Sequence, residues 1–316
     1  MKRGSLHITN GTHLTNYLQE LDVKGAFLTW QEMLCDGPTP VQIDSQRFID
    51  TRKGFLKNVY GIEINEEEIK NELAVLDQAD MFSEIVLWFE YDLFCHINLL
   101  GVIKLLQERK VNLPLYLVCS GRIEGEKNLK GLSELTANQL LDHYDKKVLL
   151  QDSDIEIARS VWHIYCGKDH NLLKPYIVKK SSFLYLNSCL KAHLKRFPNL
   201  KSGLGVLEKN ILTIVRDKDV KSRGHLVGYA LNFQGYYGYS DIQIHELIKT
   251  LSLFFEETEN SITLNRKGHE ALIGLRNFAT KINNNTVFGG VNRLDFYYST
   301  KHNELIKKIK HANKRI

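Results

Sequence analysis

No apolar run in this 316-residue chain approaches the ~18–20 residues that a membrane-spanning helix needs. Cysteine is scarce. The five thiols (Cys35, Cys95, Cys119, Cys166, Cys189) are odd in number and never fall as C-x-x-C, which argues against both a disulfide framework and a structural zinc site. Met1–Ser5 leads straight into strand-like sequence, with no signal peptide expected ahead of it. A reduced, cytoplasmic protein with no membrane partner is the expectation. There is no long-period internal repeat. A full G-x-G-x-x-G phosphate fingerprint is missing, and Ser120 lacks the Gly-x-Ser-x-Gly context of a nucleophile elbow.

What the chain does have is enough apolar residues, 43%, to bury a core in two domains. Its charge is uneven. Residues 1–120 carry a net charge of about −6 and the remainder about +11. Such asymmetry suggests different partners for the two parts, a polyanion for the basic one, or only Lys that aids solubility.

Four short apolar runs mark the first part: Ser5–Thr9, Ala26–Trp30, Glu84–Phe89 and Leu113–Cys119. Continuous apolar character over strand length suits strands buried on both faces, as in a parallel sheet. Leu14–Leu21 and Leu93–Arg109 lie between them with apolar residues at helical spacing, the second with Leu93, Ile97, Leu100, Ile103 and Leu106 on one face. Two β-helix-β units predict a small, Rossmann-like α/β domain over residues 1–150. Ser45–Tyr60 and Asn65–Asp80 read as a helical insertion, with Asn65 as cap and Glu66–Glu68 in a first turn. Thr136 caps a short helix, Lys147–Leu150 suggests a fifth strand, and Ser153 with Glu156 suggests a capping box for a helix to Tyr165.

Residues 151–316 read as mainly helical. Helices are expected at Ser181–Arg196, Leu204–Arg216 and Asp241–Phe254, then strands near Phe255–Thr258 and Ile262–Leu264. Helices followed by a strand pair resemble a winged-helix module. The Lys-rich last sixteen residues read as helical, and Lys301–Arg315 could touch phosphates. Gly235–Tyr239 is either a turn between packed aromatics or a base-stacking surface.

Ligands of open parallel sheets sit beyond the strands' carboxyl ends. Strand one delivers Asn10, Gly11 and Thr12 there, a turn at a helix start where Thr12 could also serve as the cap. Strand two delivers Glu32 and then Asp36. The third run delivers Glu90, closing an apolar strand where a carboxylate needs a partner or a ligand, and Asp92 at the next helix entry. His96 lies one turn beyond Asp92. Two carboxylates and an imidazole could ligate a metal or divide acid and base roles, although Asp92 is also a good cap. Arg52 in the insertion could fold over the strand ends and meet an anion. On these residues a small polar or phosphorylated ligand, such as a nucleotide, is expected at Asn10, Gly11, Thr12, Glu32, Asp36, Arg52 and His96, with Glu90 and Asp92 catalytic. No cofactor is named by the sequence. The alternative is a nucleic-acid-associated regulator acting through the basic part, or a homodimerising module.

The stretches His7–Gly11, Trp30–Pro38 and Leu87–Phe94, with Leu194–Pro198, Gly203, Leu204 and Glu208, are similar to a bacterial family catalogued as domain of unknown function 1835 with a C-terminal domain of unknown function 3658. The resemblance spans nearly the whole chain. It implies no established activity. It sets Thr12 against a typical Asp, Tyr91 against His, and His96 against Gln. A hydrogen-bonding role at His96 then fits better than obligatory metal ligation.

Overall fold

The computed structural model describes residues 4–308. Six strands lie in its first half: β1 (Ser5–Asn10), β2 (Ala26–Trp30), the two-residue β3 (Gly37–Pro38), β4 (Glu84–Phe89), β5 (Leu115–Cys119) and β6 (Val148–Leu149). All but β3 form one sheet in the order β2-β1-β4-β5-β6. The first four of these are parallel, and β6 runs antiparallel on β5. Ile85–Phe89 are fully buried because β4 has a strand on each side and helices on each face. The expected α/β layer fold is present.

Helix α1 (Thr12–Glu20) covers one face, where Leu14, Leu18, Trp88, Leu132 and Leu140 pack together. The insertion holds α2 (Gln46–Tyr60) and α3 (Glu66–Leu73), capped by Ser45 and Asn65. The second expected helix is shorter than its pattern, because Ala74–Met81 tightens into a 3₁₀ segment. Helix α4 (Leu93–Glu108) connects β4 to β5 on the opposite face. It is buried almost all round, not on one stripe, because later helices cover its outer side.

Helix α5 (Ala137–Asp145) carries the expected Thr136 cap, paired with Gln139. Helix α6 (Asp152–Tyr165) departs from its expected capping box. Gln151 is the cap residue, and its N–H donates to Asp154 Oδ2 at 3.0 Å, while Ser153 lies inside the helix. Asp154 wins because Ser182 also holds it, through N–H and Oγ at 2.9 and 2.7 Å. That use of Ser182 keeps the chain irregular there. After a short α7 (Lys174–Ile177), the helix expected from Ser181 is only α8 (Leu186–Leu194).

Next come α9 (Val206–Asp217), α10 (Arg223–Phe233) and α11 (Asp241–Thr250), then a hairpin of β7 (Phe255–Thr258) and β8 (Ser261–Leu264). Helix α10 has no clean apolar stripe: it buries Leu226, Val227 and Ala230 but exposes Phe233. This is why its periodicity is illegible. The described residues close with α12 (Arg266–Leu272), α13 (Ala279–Ile282), β9 (Val287–Gly289), β10 (Val291–Asn292), β11 (Phe296–Ser299) and β12 (Glu304–Lys307). The Lys-rich end is therefore not a helix at 304–307: it pairs as a strand with β11, and Leu305 is buried there. Residues 309–316 of that stretch lie outside the described ones.

The two halves share structure. β3 pairs in parallel with β9, Gly37 opposite Phe288. A single apolar cluster includes Leu34, Trp162, Leu204 and Phe288. Among the described residues, no helix is long and apolar enough to cross a membrane.

Candidate functional site

The nine residues picked from the sequence fall in three places. At the carboxyl end of β4, Glu90 and Asp92 stand together with Cys95, their ligating atoms all within 4.8 Å of one another. The local sequence explains the convergence. Asp92 is extended and caps α4, its Oδ1 accepting the Cys95 N–H at 2.8 Å. A cap and the third residue into its helix face each other, so Cys95 is delivered to the carboxylate. Asn10, at the end of the neighbouring β1, donates from Nδ2 to Cys95 Sγ at 3.0 Å.

Three parts of the chain close over this floor. Gly131 lies so near that a Cβ there would come within 2.7 Å of the Glu90 carboxylate, and Ser133 approaches Glu90 Oε1 at 3.4 Å from N–H and 3.5 Å from Oγ. Gly238, at φ 65°, packs its backbone onto the Asp92 carboxyl, a conformation and a closeness that a side chain would forbid. Tyr91, Tyr185 and Tyr236 meet edge-on or tilted, with ring centroids 6.1–6.5 Å apart, as a partly exposed aromatic wall. Gly235–Tyr239 is thus a turn among packed aromatics that leans on the acid pair.

No basic side chain pairs with Glu90 or Asp92 among the described residues. Burial, then the nearby Asp92, pushes Glu90 up to about 7, with the Ser133 and Leu132 amides pulling the other way. Burial likewise lifts Asp92 to about 6 despite its amide bonds. The Cys95 thiol is raised by burial and by Asp92. His96 stays outside the group. Its Nδ1 pairs with the Asp92 backbone carbonyl at 3.0 Å, its Nε2 has no partner, and burial lowers it to about 4. The ring is neutral, and the carboxylate it was expected to meet is turned to the helix cap.

The second place is a cleft of about 820 Å³ lined by Asn10, Gly11, Glu32 and Arg52, with Glu68 and Glu72 of the insertion. Glu90 and Asp92 do not line it; Asn10 links the two places through Cys95. Gly11, not Thr12, occupies the cap position of α1 and makes no side-chain cap. Thr12 instead accepts from Gln31 Nε2 at 2.8 Å, tying the ends of β1 and β2. Arg52 is only 1% exposed and is fully committed. It pairs with Glu32 at 3.0 Å and donates to the carbonyls of Asp36, Pro38 and Met33. The anion expected for it is supplied by Glu32.

Asp36 lies in the third place, a buried polar node between the halves. Its Oδ1 faces Arg196 Nη1 at 3.3 Å, and its Oδ2 accepts from Tyr60 Oη at 3.0 Å and Gln243 Nε2 at 2.6 Å. With its oxygens occupied, Asp36 holds the fold together and is not a wall of the strand-end site. Arg196 stacks over Phe288, 3.8 Å from the ring centroid, and donates to Cys35 O and to His193 Nδ1 at 2.6 and 2.5 Å.

The sequence did not single out Cys95, Gly131, Ser133 or Tyr185, and it marked Gly238 only as part of the Gly235–Tyr239 stretch. Cys95 carries a readable signal, standing three residues after a capping Asp. Gly131, Ser133 and Tyr185 come from distant segments with no local mark. Compared with known protein families and curated proteins, the chain matches no family model and no curated protein.

Proposed function

We propose that the chain binds a small polar ligand at the carboxyl ends of β1, β2 and β4, with Glu90 and Asp92 as the groups that grip it or exchange protons with it. One observation carries this reading: two adjacent carboxyl groups, Asp92 buried and Glu90 half-buried, have no basic partner among the described residues, at the position where parallel α/β sheets bind ligands. Buried charge without a counter-charge destabilises a fold, and its persistence points to use. The raised values leave each group near its protonation midpoint around neutral pH, which suits proton exchange.

The neighbouring cleft speaks to ligand charge. Glu32, Glu63, Glu68 and Glu72 line it, and Arg52 is already neutralised by Glu32. A neutral or cationic ligand therefore suits the lining better than a phosphorylated one. A thermal-shift screen of polyols, amines, nucleosides and nucleoside phosphates tests this. The first three classes should contain a ligand that raises the melting temperature, and Glu90→Gln should abolish that rise while leaving the ligand-free protein folded. If only phosphorylated compounds shift the wild type, or Glu90→Gln responds unchanged, the reading fails.

The second reading is a nucleic-acid-associated regulator. A winged-helix reading of this part is supported by the order α9, α10, α11, hairpin and by the Ile262 N–H, which donates to Val220 O at 2.8 Å and so ties the hairpin to the segment before α10. Against nucleic-acid binding, α11 packs toward α2 and gives Gln243 to Asp36, and its exposed residues are Asp241, His245 and Lys249. A reading helix needs a free, basic face. Binding that falls steeply with salt would be its signature. The resemblance to the 1835 and 3658 domain families stands beside both readings and rests on the quoted motifs alone.

A further inference from the structure

We propose that Glu90, Asp92 and Cys95 together hold a divalent cation of the zinc class, with one coordination position left open to the ligand. The inference rests on the site reading above and deepens it. Two observations point to a cation. The first is the mixed donor set itself. Asp92 Oδ1 accepts the Cys95 N–H of the helix cap, the Cys95 thiol and the Phe94 amide also reach that carboxyl, and the Glu90 Oε1 contacts to Ser133 are long, at 3.4 and 3.5 Å. Cys95 Sγ is reached by the Asn10 amide, a donor placed to stabilise a thiolate.

The second observation is independent of the acids. Ser120 is 1% exposed and its Oγ has no partner among the described residues. Trp88 of β4 stands opposite Val118 of β5 and Phe89 opposite Cys119, so the next positions in register are Glu90 and Ser120. Strands of a sheet lie about 4.8 Å apart. The register thus brings a buried hydroxyl without a partner to the strand end next to that of Glu90, where a water or ligand atom on the ion would satisfy it.

The geometry is close to what a tetrahedral ion needs. With metal–ligand distances of about 2.0–2.3 Å, the ligand atoms of such an ion sit roughly 3.3–3.8 Å apart. Atoms already within 4.8 Å need to close by about 1 Å. Three protein ligands and a free fourth position are the pattern of a catalytic zinc site, whereas structural sites use four. Thiolate favours zinc over magnesium or calcium, and the two carboxylates disfavour copper(I). Binding replaces the thiol proton: the S–H bond breaks, a sulfur–metal bond forms, and the proton leaves to solvent.

The test uses the full chain, stripped with a chelator and titrated with Co²⁺, then Zn²⁺. A thiolate-to-cobalt charge-transfer band should saturate at one ion per chain, be displaced by Zn²⁺, and be accompanied by proton release. Cys95→Ser should lose the band; Cys119→Ser and Cys189→Ser should keep it. Glu90→Gln should weaken Co²⁺ binding at least tenfold, which keeps the test open if Cys95→Ser fails to fold. Absence of the band, or its survival in Cys95→Ser, overturns the proposal. If the band is absent while Glu90→Gln still abolishes ligand-induced stabilisation, the ion is wrong and the small-molecule site stands.

Discussion

Arg196→Met will destabilise the protein by about 3–5 kcal/mol, the usual loss when one member of a buried ion pair is removed. Arg196 is 4% exposed, as is Asp36. Without the guanidinium, Asp36 keeps only neutral donors from Tyr60, Gln243 and Tyr239. Cys35 O and the Tyr239 hydroxyl lose a donor as well. Met fills similar space over Phe288, so the loss measures charge and hydrogen bonding more than volume. Asp36→Asn on the Arg196→Met background should restore part of the stability, because it removes the stranded charge. The double-mutant cycle, read by urea unfolding, should then give a coupling of about 1–3 kcal/mol. A loss below about 1 kcal/mol for Arg196→Met would show that the node is not what joins the halves.

Acid will weaken the same node. The hydrogen-bond directions fix two histidine tautomers. Arg196 donates to His193 Nδ1, so His193 carries its proton on Nε2 and donates to His170 Nδ1 at 2.8 Å. His170 then donates from Nε2 to Tyr165 O at 2.8 Å. A second proton on either ring would face a donor or an ammonium-like neighbour. Burial lowers His170 to about 4 and His193 well below its ordinary value, with Arg196 adding to both. An unfolded histidine binds its proton near pH 6.5. Between pH 6.5 and 4 these two rings therefore bind more protons in the unfolded chain, and their contribution to stability falls as pH drops through that window. The contribution is complete above pH 6.5. From His170 alone the loss is about 3 kcal/mol. Glu90 and Asp92 act with opposite sign, since their raised values favour folding as they protonate. Unfolding measurements report the sum, so NMR of the rings is the cleaner check. His170 should remain neutral at pH 5; titration near pH 6.5 would contradict the relay.

How much of this was legible follows from range. β4 and its neighbours are continuous apolar runs of strand length, and the sheet followed from them. Glu90 was legible because a charge at the end of such a run breaks the pattern, and Asp92 because it precedes an apolar helix. The buried node was not, because Asp36 and Arg196 are 160 residues apart and each sits in ordinary local sequence. Arg52 misled for a related reason. Its helix is polar overall, and nothing local says that one guanidinium turns inward to Glu32 and three carbonyls. Gly238 carries no sign that its missing side chain is what lets the second half of the chain rest on Asp92.

A Glu90 kept for binding costs the fold stability. The unfolding free energy of Glu90→Gln against wild type, both metal-free at pH 8, tests that directly. Glu90 is raised to about 7 by burial, so at pH 8 it is ionised in the fold at a cost that glutamine does not carry. Because the residue is only partly buried by surface, the gain is set at about 1–2 kcal/mol in favour of the variant. A variant less stable than wild type by more than about 1 kcal/mol would make Glu90 a structural residue and rule out its retention for binding.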